Sequence, residues 1–146
     1  MDIAEFLTGR LDEDEAAANG VHVIDNAPWH LLEWYDGEFE NGETARVDLR
    51  SRTGSITHRG AIPRPVGAHI VRHDPARVLA DVAAKRAIVA EHRCAGEFAP
   101  GVGYCSECGS GEPHEYPTRW PCATLRLLAA SYADHPDFDP AWRLDG

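Results

Sequence analysis

Three cysteines in the last third of the chain constrain its fold more than any other feature. Cys105 and Cys108 are separated by two residues and are followed by Gly109, a spacing typical of a tight turn that directs both sulfurs to one point. Cys122 comes later in the chain and supplies a third thiol. A C-x2-C pair with a third cysteine and nearby histidines is a common ligand set for Zn²⁺. The sequence therefore predicts a zinc site that joins the middle of the chain to its C-terminal part.

The fourth zinc ligand has three candidates. His92 is the first choice, because it stands at the end of a predicted helix and faces the packed side of that helix. Cys94 is the second choice, as a fourth sulfur close by, and His114 is the third. Four protein ligands would leave no position for water and would make the site structural. Three would permit a zinc-dependent hydrolase, but the sequence holds no H-E-x-x-H signature to supply a general base.

Composition bounds the class of protein. The 146 residues are 43% hydrophobic and fit a single domain over 1–146. The first residues are acidic rather than basic, and no apolar run approaches the roughly 20 residues of a membrane helix, so we expect a cytoplasmic location without membrane contact. Cysteines in that compartment are reduced, which favours a metal over disulfides. The formal net charge of -10 disfavours long-range attraction to nucleic acid.

Hydrophobic periodicity and stop signals predict an α+β fold. Asn19-Gly20 is expected to end the first helix, and Asp74-Pro75 is a strong start signal for a long central helix. Phe138 and Trp142 in the tail are expected to pack back on the body. The expected order is an N-terminal helix (2–18), a small antiparallel β-meander (21–60), the central helix (75–93), a zinc-knuckle segment (92–122), a C-terminal helix (121–132) and a tail (133–146).

Two helices carry charges within or beside their apolar stripes. Arg10 and Asp14 fall within the apolar arc of the first helix, and Lys85 and Arg86 flank the stripe of the central helix. If the helices pack together, Asp14 could pair with Arg86 or Lys85 in a partly buried ion network, and a residual cation there could bind an anionic ligand. Long cations also commonly lay their stems on apolar surface with the head in water, which explains the same pattern without a site.

A strip of arginines gives the second candidate surface. Arg46, Arg50 and Arg52 share one face of a predicted strand, with Asp48 among them, and Arg59 and Arg64 extend the strip. Acidic residues on the preceding segment can neutralise this face across the strand pair. The functional alternative is a β-ribbon that contacts nucleic-acid phosphates.

Several blocks of the chain resemble a family of unknown function from actinobacteria and their phages. These blocks are FLTGRLDEDE (6–15), HIVRHDPARVL (69–79), KR (85–86), EH (91–92), PCATLR (121–126) and YADHP (132–136). Relatives of this kind often carry a C-x2-C pair before the Pro-Cys block, which agrees with Cys105, Cys108 and Cys122. Cys94 lies outside that pattern, so the resemblance favours His92 as the fourth ligand. It implies an origin and an architecture but no reaction.

The sequence thus favours a small zinc-stabilised protein that acts by binding another macromolecule, most simply a protein. The resemblance adds the expectation of a phage-encoded modulator of a host protein. The alternatives are a nucleic-acid-binding protein that uses the Arg46–Arg64 strip and, with less support, a zinc-dependent hydrolase. No residue is assigned a catalytic role.

Overall fold

The computed structural model describes residues 1–24, 28–34, 46–51, 62–108 and 118–144. Their elements are α1 (Ile3–Ile24), β1 (His30–Trp34), β2 (Arg46–Arg50), β3 (Ile62–Pro63), α2 (Arg64–Arg72), α3 (Pro75–Glu91), β4 (Cys94–Ala99), β5 (Val102–Cys105) and α4 (Ala123–Ala130). This is an α+β fold, as predicted. The contacts divide the chain into two compact units, Met1–Glu13 with Val82–Gly146 and Asp14–Asp81. That both belong to a single domain stays a prediction.

Helix α1 begins with a reciprocal pair of side-chain caps. The backbone N–H of Glu5 donates to the Asp2 carboxylate, and the N–H of Asp2 donates to the Glu5 carboxylate, both at 2.8 Å. These two bonds satisfy donors that the first turn of a helix leaves without partners. Asp2 and Glu5 therefore cap the N-terminus of α1.

The far end of α1 differs from the predicted end at residue 18. The helix continues through Gly20 to Ile24, so Val21–Ile24 is not the first strand of the meander. Gly20 does not take the left-handed conformation that would make it a C-cap. A glycine inside a helix costs about 1 kcal/mol relative to alanine, which neighbouring helical residues can offset.

The predicted meander is a three-stranded antiparallel sheet in the order β1-β2-β3. His30 lies opposite Arg50, and Trp34 lies opposite Arg46. The third strand, Ile62–Pro63, lies beyond the predicted end of the meander at residue 60. Residues 52–60 of the predicted meander lie outside the described residues.

Asp74 caps α3 as the sequence predicts. Its carboxylate accepts a 2.8 Å hydrogen bond from the backbone N–H of Arg77, and its carbonyl accepts one of 3.0 Å from the N–H of Val78. The same carboxylate accepts a 3.4 Å bond from the N–H of Trp29, so the cap also holds the chain that leads into β1. The helix ends at Glu91, two residues before the predicted end.

A β-hairpin occupies part of the predicted zinc-knuckle segment (92–122). Strands β4 and β5 pair antiparallel around Pro100-Gly101, and Gly101 has a φ of 71°. Proline followed by a glycine with positive φ is the sequence signature of a type II turn. The sequence analysis did not predict this hairpin, because a two-residue turn produces no hydrophobic periodicity.

Helix α4 covers Ala123–Ala130, a shorter span than the predicted 121–132. Cys122 has extended backbone angles and is the N-cap residue, so the helix starts after it and Pro121 lies outside. The predicted packing of the tail is confirmed: the rings of Phe138 and Trp142 lie 6.1 and 5.0 Å from the ring of Phe6. The core joins them to the residues Ile3, Leu7, Cys105, Cys122, Leu125 and Ala129.

Candidate metal centre

Three sulfur atoms surround one imidazole nitrogen. The Nδ1 atom of His92 lies 3.5 Å from Sγ of Cys105, 3.4 Å from Sγ of Cys108 and 3.5 Å from Sγ of Cys122. All four candidate ligand atoms lie within 4.8 Å of one another. The structure therefore brings together the first-choice set that the sequence predicted.

Hydrogen bonding does not account for this arrangement. A neutral imidazole nitrogen carries either one proton or one lone pair, so it cannot satisfy three sulfurs at equal distance. A tetrahedral ion with bonds of about 2.3 Å to sulfur and about 2.0 Å to nitrogen places nitrogen and sulfur about 3.5 Å apart. The observed distances match that separation, and the four residues fit a metal site with Nδ1 as the nitrogen ligand.

His92 is held at the end of α3 by hydrogen bonds on both sides of it. Its backbone N–H donates to the carbonyl of Ile88 at 3.0 Å, which completes the last turn. The hydroxyl of Ser106 donates to the Glu91 carbonyl at 2.6 Å and accepts from the N–H of Arg93 at 3.0 Å. Ser106 lies between the two cysteines of the C-x2-C turn, so it ties that turn to the helix end. The sequence analysis missed this residue.

The C-x2-C turn is also tied to the segment that leads to Cys122. The N–H of Cys105 donates to the Thr118 carbonyl at 2.9 Å, and the hydroxyl of Thr118 donates to the Cys108 carbonyl at 2.8 Å. The N–H of Trp120 donates to the Gly103 carbonyl at 2.9 Å. The chain then passes through a cis Trp120–Pro121 peptide to Cys122. These hydrogen bonds hold the C-x2-C turn and the segment that leads to Cys122 against the hairpin.

Burial differs among the ligand residues. Cys105 and Cys122 are fully buried and belong to the hydrophobic core, His92 is half-buried, and Cys108 is exposed. Cys122 stands at the N-terminus of α4, where the helix dipole favours a thiolate. Among the four residues, Cys108 is therefore the most accessible, and Cys105 and Cys122 are shielded from solvent.

The pKa values of Cys105 and Cys108 are shifted in opposite directions. Burial opposes ionisation of Cys105, but hydrogen bonds from the backbone of Cys108 and Glu107, and then from the His92 and Cys122 side chains, lower its pKa from 9.0 to about 7. Desolvation, followed by hydrogen bonds and charge repulsion involving the Cys105 and Cys122 sulfurs, raises the pKa of Cys108 to about 11. Adjacent thiolates repel, and a cation among them removes that cost.

The other two ligand candidates have different outcomes. Cys94 lies on the exposed strand β4, outside the four-residue cluster, and its thiol contacts the carbonyl oxygen of Gly96 at 3.7 Å. The structure thus does not bring the second-choice ligand into the site. His114 lies outside the described residues.

Two members of the predicted ion network, Arg10 and Arg86, pair with acidic residues that the sequence did not predict as partners. Arg10 pairs with Glu13 at 2.9 Å, and Arg86 pairs with Asp12 at 2.5 Å. Arg10 also contacts Nε2 of His135. Among the other members, Lys85 is half-buried on α3 and Asp14 lies on α1. The pairing of Asp14 with Arg86 or Lys85, and an anion site there, stay predictions.

The arginine strip is described only in part. Arg46 and Arg50 are the first and last residues of β2. Arg64 begins α2. Arg52 and Arg59 lie outside the described residues. A continuous basic surface therefore stays a prediction.

The chain belongs to DUF6221, a family of unknown function, whose pattern it matches over residues 1–144. A family of unknown function was expected, and the origin in actinobacteria and their phages stays a prediction. No curated protein and no solved structure matches the chain significantly. Among the described residues, none of the helices combines the length and apolarity needed to cross a membrane.

Proposed function

We propose that the cluster binds one Zn²⁺ as a structural centre with Cys105, Cys108, Cys122 and His92 as its ligands. The observation that carries this proposal is the equal spacing of three sulfurs around one imidazole nitrogen. Three thiolates and an imidazole form a soft, tetrahedral set that suits zinc better than magnesium or calcium. Because the four residues complete the coordination shell, the ion would stabilise the fold rather than activate water.

The proposed ion would fasten three parts of one compact unit. His92 follows α3, Cys105 and Cys108 follow from β5, and Cys122 precedes α4. Binding to a site that exists only in the folded chain adds directly to the free energy of unfolding. Because a small unit buries a limited apolar core and its strand β4 is largely exposed, such a cross-link adds considerably to its free energy of unfolding.

Metal analysis of the purified, reduced protein tests the zinc proposal. We expect about one zinc per chain, loss of stoichiometric zinc in Cys122→Ser, and full retention in Cys94→Ser, which alters a cysteine outside the cluster. Substitution by Co²⁺ would give the intense visible bands of a tetrahedral thiolate site. Absence of bound metal in unoxidised protein, or equal zinc loss in both variants, would contradict the proposal.

We further propose that the protein works by binding another protein. Two apolar side chains support this, since Phe98 on β4 is 44% exposed and Leu127 on α4 is 62% exposed. Contiguous exposed apolar surface marks a contact site, whereas single apolar groups do not, so the proposal requires both side chains to contribute to one binding surface. The resemblance to actinobacterial and phage proteins makes a host protein the expected partner and the cytoplasm the expected location.

A paired capture experiment tests the binding proposal. Tagged wild-type protein and the double variant Phe98→Gln with Leu127→Gln are used as baits in an actinobacterial lysate, and Ala130→Gln is the control on the exposed side of α4. We expect a protein that wild type and control retain, that the double variant loses, and that binds again when purified. Retention of nucleic acid that weakens steeply with salt would instead support the arginine strip.

A further inference from the structure

The fourth cysteine lies directly opposite a proposed metal ligand. In the β4–β5 hairpin, Cys94 is the register partner of Cys105. The N–H of Ser106 donates to the Arg93 carbonyl at 2.8 Å, while the N–H of Cys105 turns away and donates to Thr118. Cys94 and Cys105 therefore form a non-hydrogen-bonded pair of the antiparallel ladder. The Cα atoms of such pairs are about 4.5 Å apart.

The two side chains share one face of the hairpin. The sulfur of Cys94 lies 2.7 Å from the position that a Cβ on Gly103 would occupy. Gly103 precedes Cys105 by two residues on β5 and therefore faces the same way. The absence of a side chain at Gly103 gives the Cys94 sulfur room on that face. A Cα spacing of about 4.5 Å lies within the range that a disulfide bridges, so rotation of the side chains is the movement required.

We propose that Cys94 and Cys105 close a reversible disulfide when the protein meets a hydroperoxide, and that closure withdraws Cys105 from the metal. The loss of a metal ligand rests on the proposed zinc site, whereas the disulfide between Cys94 and Cys105 does not. Cys94 is exposed and lies outside the cluster, so an oxidant reaches it without opening the site.

The chemistry takes two steps. The thiolate of Cys94 attacks the peroxide, a sulfur–oxygen bond forms as the oxygen–oxygen bond breaks, and the released hydroxide takes up a proton to give water. The Cys105 sulfur then attacks Sγ of the Cys94 sulfenic acid, and a sulfur–sulfur bond replaces the sulfur–oxygen bond. A second hydroxide leaves and is protonated to water. The two cysteines lose two electrons, and the peroxide gains them.

Closure would leave His92, Cys108 and Cys122 as the remaining protein ligands. Loss of one thiolate from a four-ligand site weakens zinc binding, so the ion would be released under oxidation and rebound after reduction. The pair would make the stability of this unit depend on the redox conditions.

Digestion with a glutamyl endopeptidase maps the disulfide unambiguously. Cleavage after Glu91, Glu97 and Glu107 places Cys94, Cys105 and Cys108 in separate peptides. Full-length zinc-loaded protein is treated with hydrogen peroxide beside a chromogenic zinc chelator, and free thiols are alkylated before digestion. We expect a cross-link between peptides 92–97 and 98–107, released zinc, and reversal of both by dithiothreitol.

The variant Cys94→Ser decides the proposal, with Ala95→Ser as the matched control on the same exposed strand. We expect zinc release in Cys94→Ser to be slower by roughly five-fold or more at equal peroxide, and Ala95→Ser to behave as wild type. A dominant cross-link between Cys105 and Cys108, or equal release rates in all three proteins, would overturn the proposal. Protein that contains no zinc before treatment would refute the metal proposal alone, since the peptide cross-link is still scored.

Discussion

The Ser106 hydroxyl donates a 2.6 Å hydrogen bond to the backbone carbonyl of Glu91. This bond joins the turn between two cysteines to the end of the helix that carries His92. Carbonyls in the last turn of a helix have no partner within the helix, so Ser106 satisfies a group that would otherwise need water. It also orients ligands from two separate elements toward each other, as supporting groups around metal sites commonly do.

Replacing Ser106 with alanine is therefore expected to weaken the metal site. The substitution removes a donor to Glu91 and an acceptor for the N–H of Arg93. We expect the metal-loaded protein to lose about 1–2 kcal/mol of unfolding free energy and zinc affinity to fall by about ten-fold. Urea unfolding and competition with a zinc chelator measure the two effects.

Ser131→Ala is the control for this prediction. Its hydroxyl also donates to a backbone carbonyl at a helix end, that of Leu128, at 2.8 Å, but it lies away from the ligands. We expect this variant to leave zinc affinity unchanged. Equal affinities for wild type and Ser106→Ala would show that the hydroxyl does not position the ligands.

Metal binding is expected to release protons in a pH-dependent way. At pH 7 the Cys108 thiol, with a pKa of about 11, holds its proton, and Cys105, with a pKa of about 7, is half ionised. Coordination requires both thiolates, so these two residues release about 1.5 protons per ion at pH 7 and about 1 at pH 8. Calorimetry in buffers of different ionisation enthalpy counts all the protons released, so these two residues set a lower bound, and a total below one proton at pH 7 would contradict the thiol assignments.

The metal-free protein should show the corresponding effects on stability. The lowered pKa of Cys105 favours the folded state above the unfolded pKa of 9.0, and this contribution is lost as pH falls through about 7. The raised pKa of Cys108 contributes below 9.0 and is lost as pH rises through about 11. Bound zinc holds both residues as thiolates, so we expect neither dependence in the metal-loaded protein.

Asp74 provides a prediction in the other compact unit. Asp74→Ala removes an N-cap acceptor and the acceptor for the N–H of Trp29. We expect a loss of about 1–2 kcal/mol of unfolding free energy. Asp74→Asn is expected to keep the cap bond to Arg77 but to lose the bond from Trp29, because its single amide oxygen replaces only one of the two accepting carboxylate oxygens. Asp81→Asn is a suitable control, since Asp81 forms an exposed pair with Arg77. Thermal unfolding that is identical for Asp74→Ala and wild type would refute the cap.

Strong local chemistry made part of this fold predictable. The C-x2-C turn, the third cysteine and the helix-terminal His92 identified the cluster, because metal ligation restricts residue type and spacing narrowly. Asp74-Pro75 identified the start of α3 for a similar reason, since few residues suit a helix N-terminus. Tail packing followed from two large aromatic residues in an otherwise polar segment.

Predictions failed where tertiary context or short-range turns decide the outcome. Glycine is favoured at the C-terminal end of helices, yet α1 continues through Gly20, because a weak local preference does not fix a helix end. The β4–β5 hairpin depends on a two-residue turn and on cross-strand bonds that no periodicity reveals. The partners of Arg10 and Arg86 depend on side-chain reach, so helical phase identified the region but not the pairs.

Arg10 is expected to stabilise the fold through packing more than through charge. Its side chain is 14% exposed, its guanidinium lies 5.6 Å from the Phe6 ring centroid, and its partner Glu13 is 65% exposed. An exposed ion pair contributes little, so we expect Glu13→Gln to cost less than about 0.5 kcal/mol. Arg10→Ala removes the buried stem and the contact with Phe6, and we expect a cost of about 2 kcal/mol. Arg10→Lys should recover less than half of that loss, because an ammonium cannot stack its plane on the ring.

Urea unfolding of the three variants at low and high salt separates the two contributions, since only the charge contribution weakens with salt. Equal costs for Glu13→Gln and Arg10→Ala would show that the ion pair dominates instead.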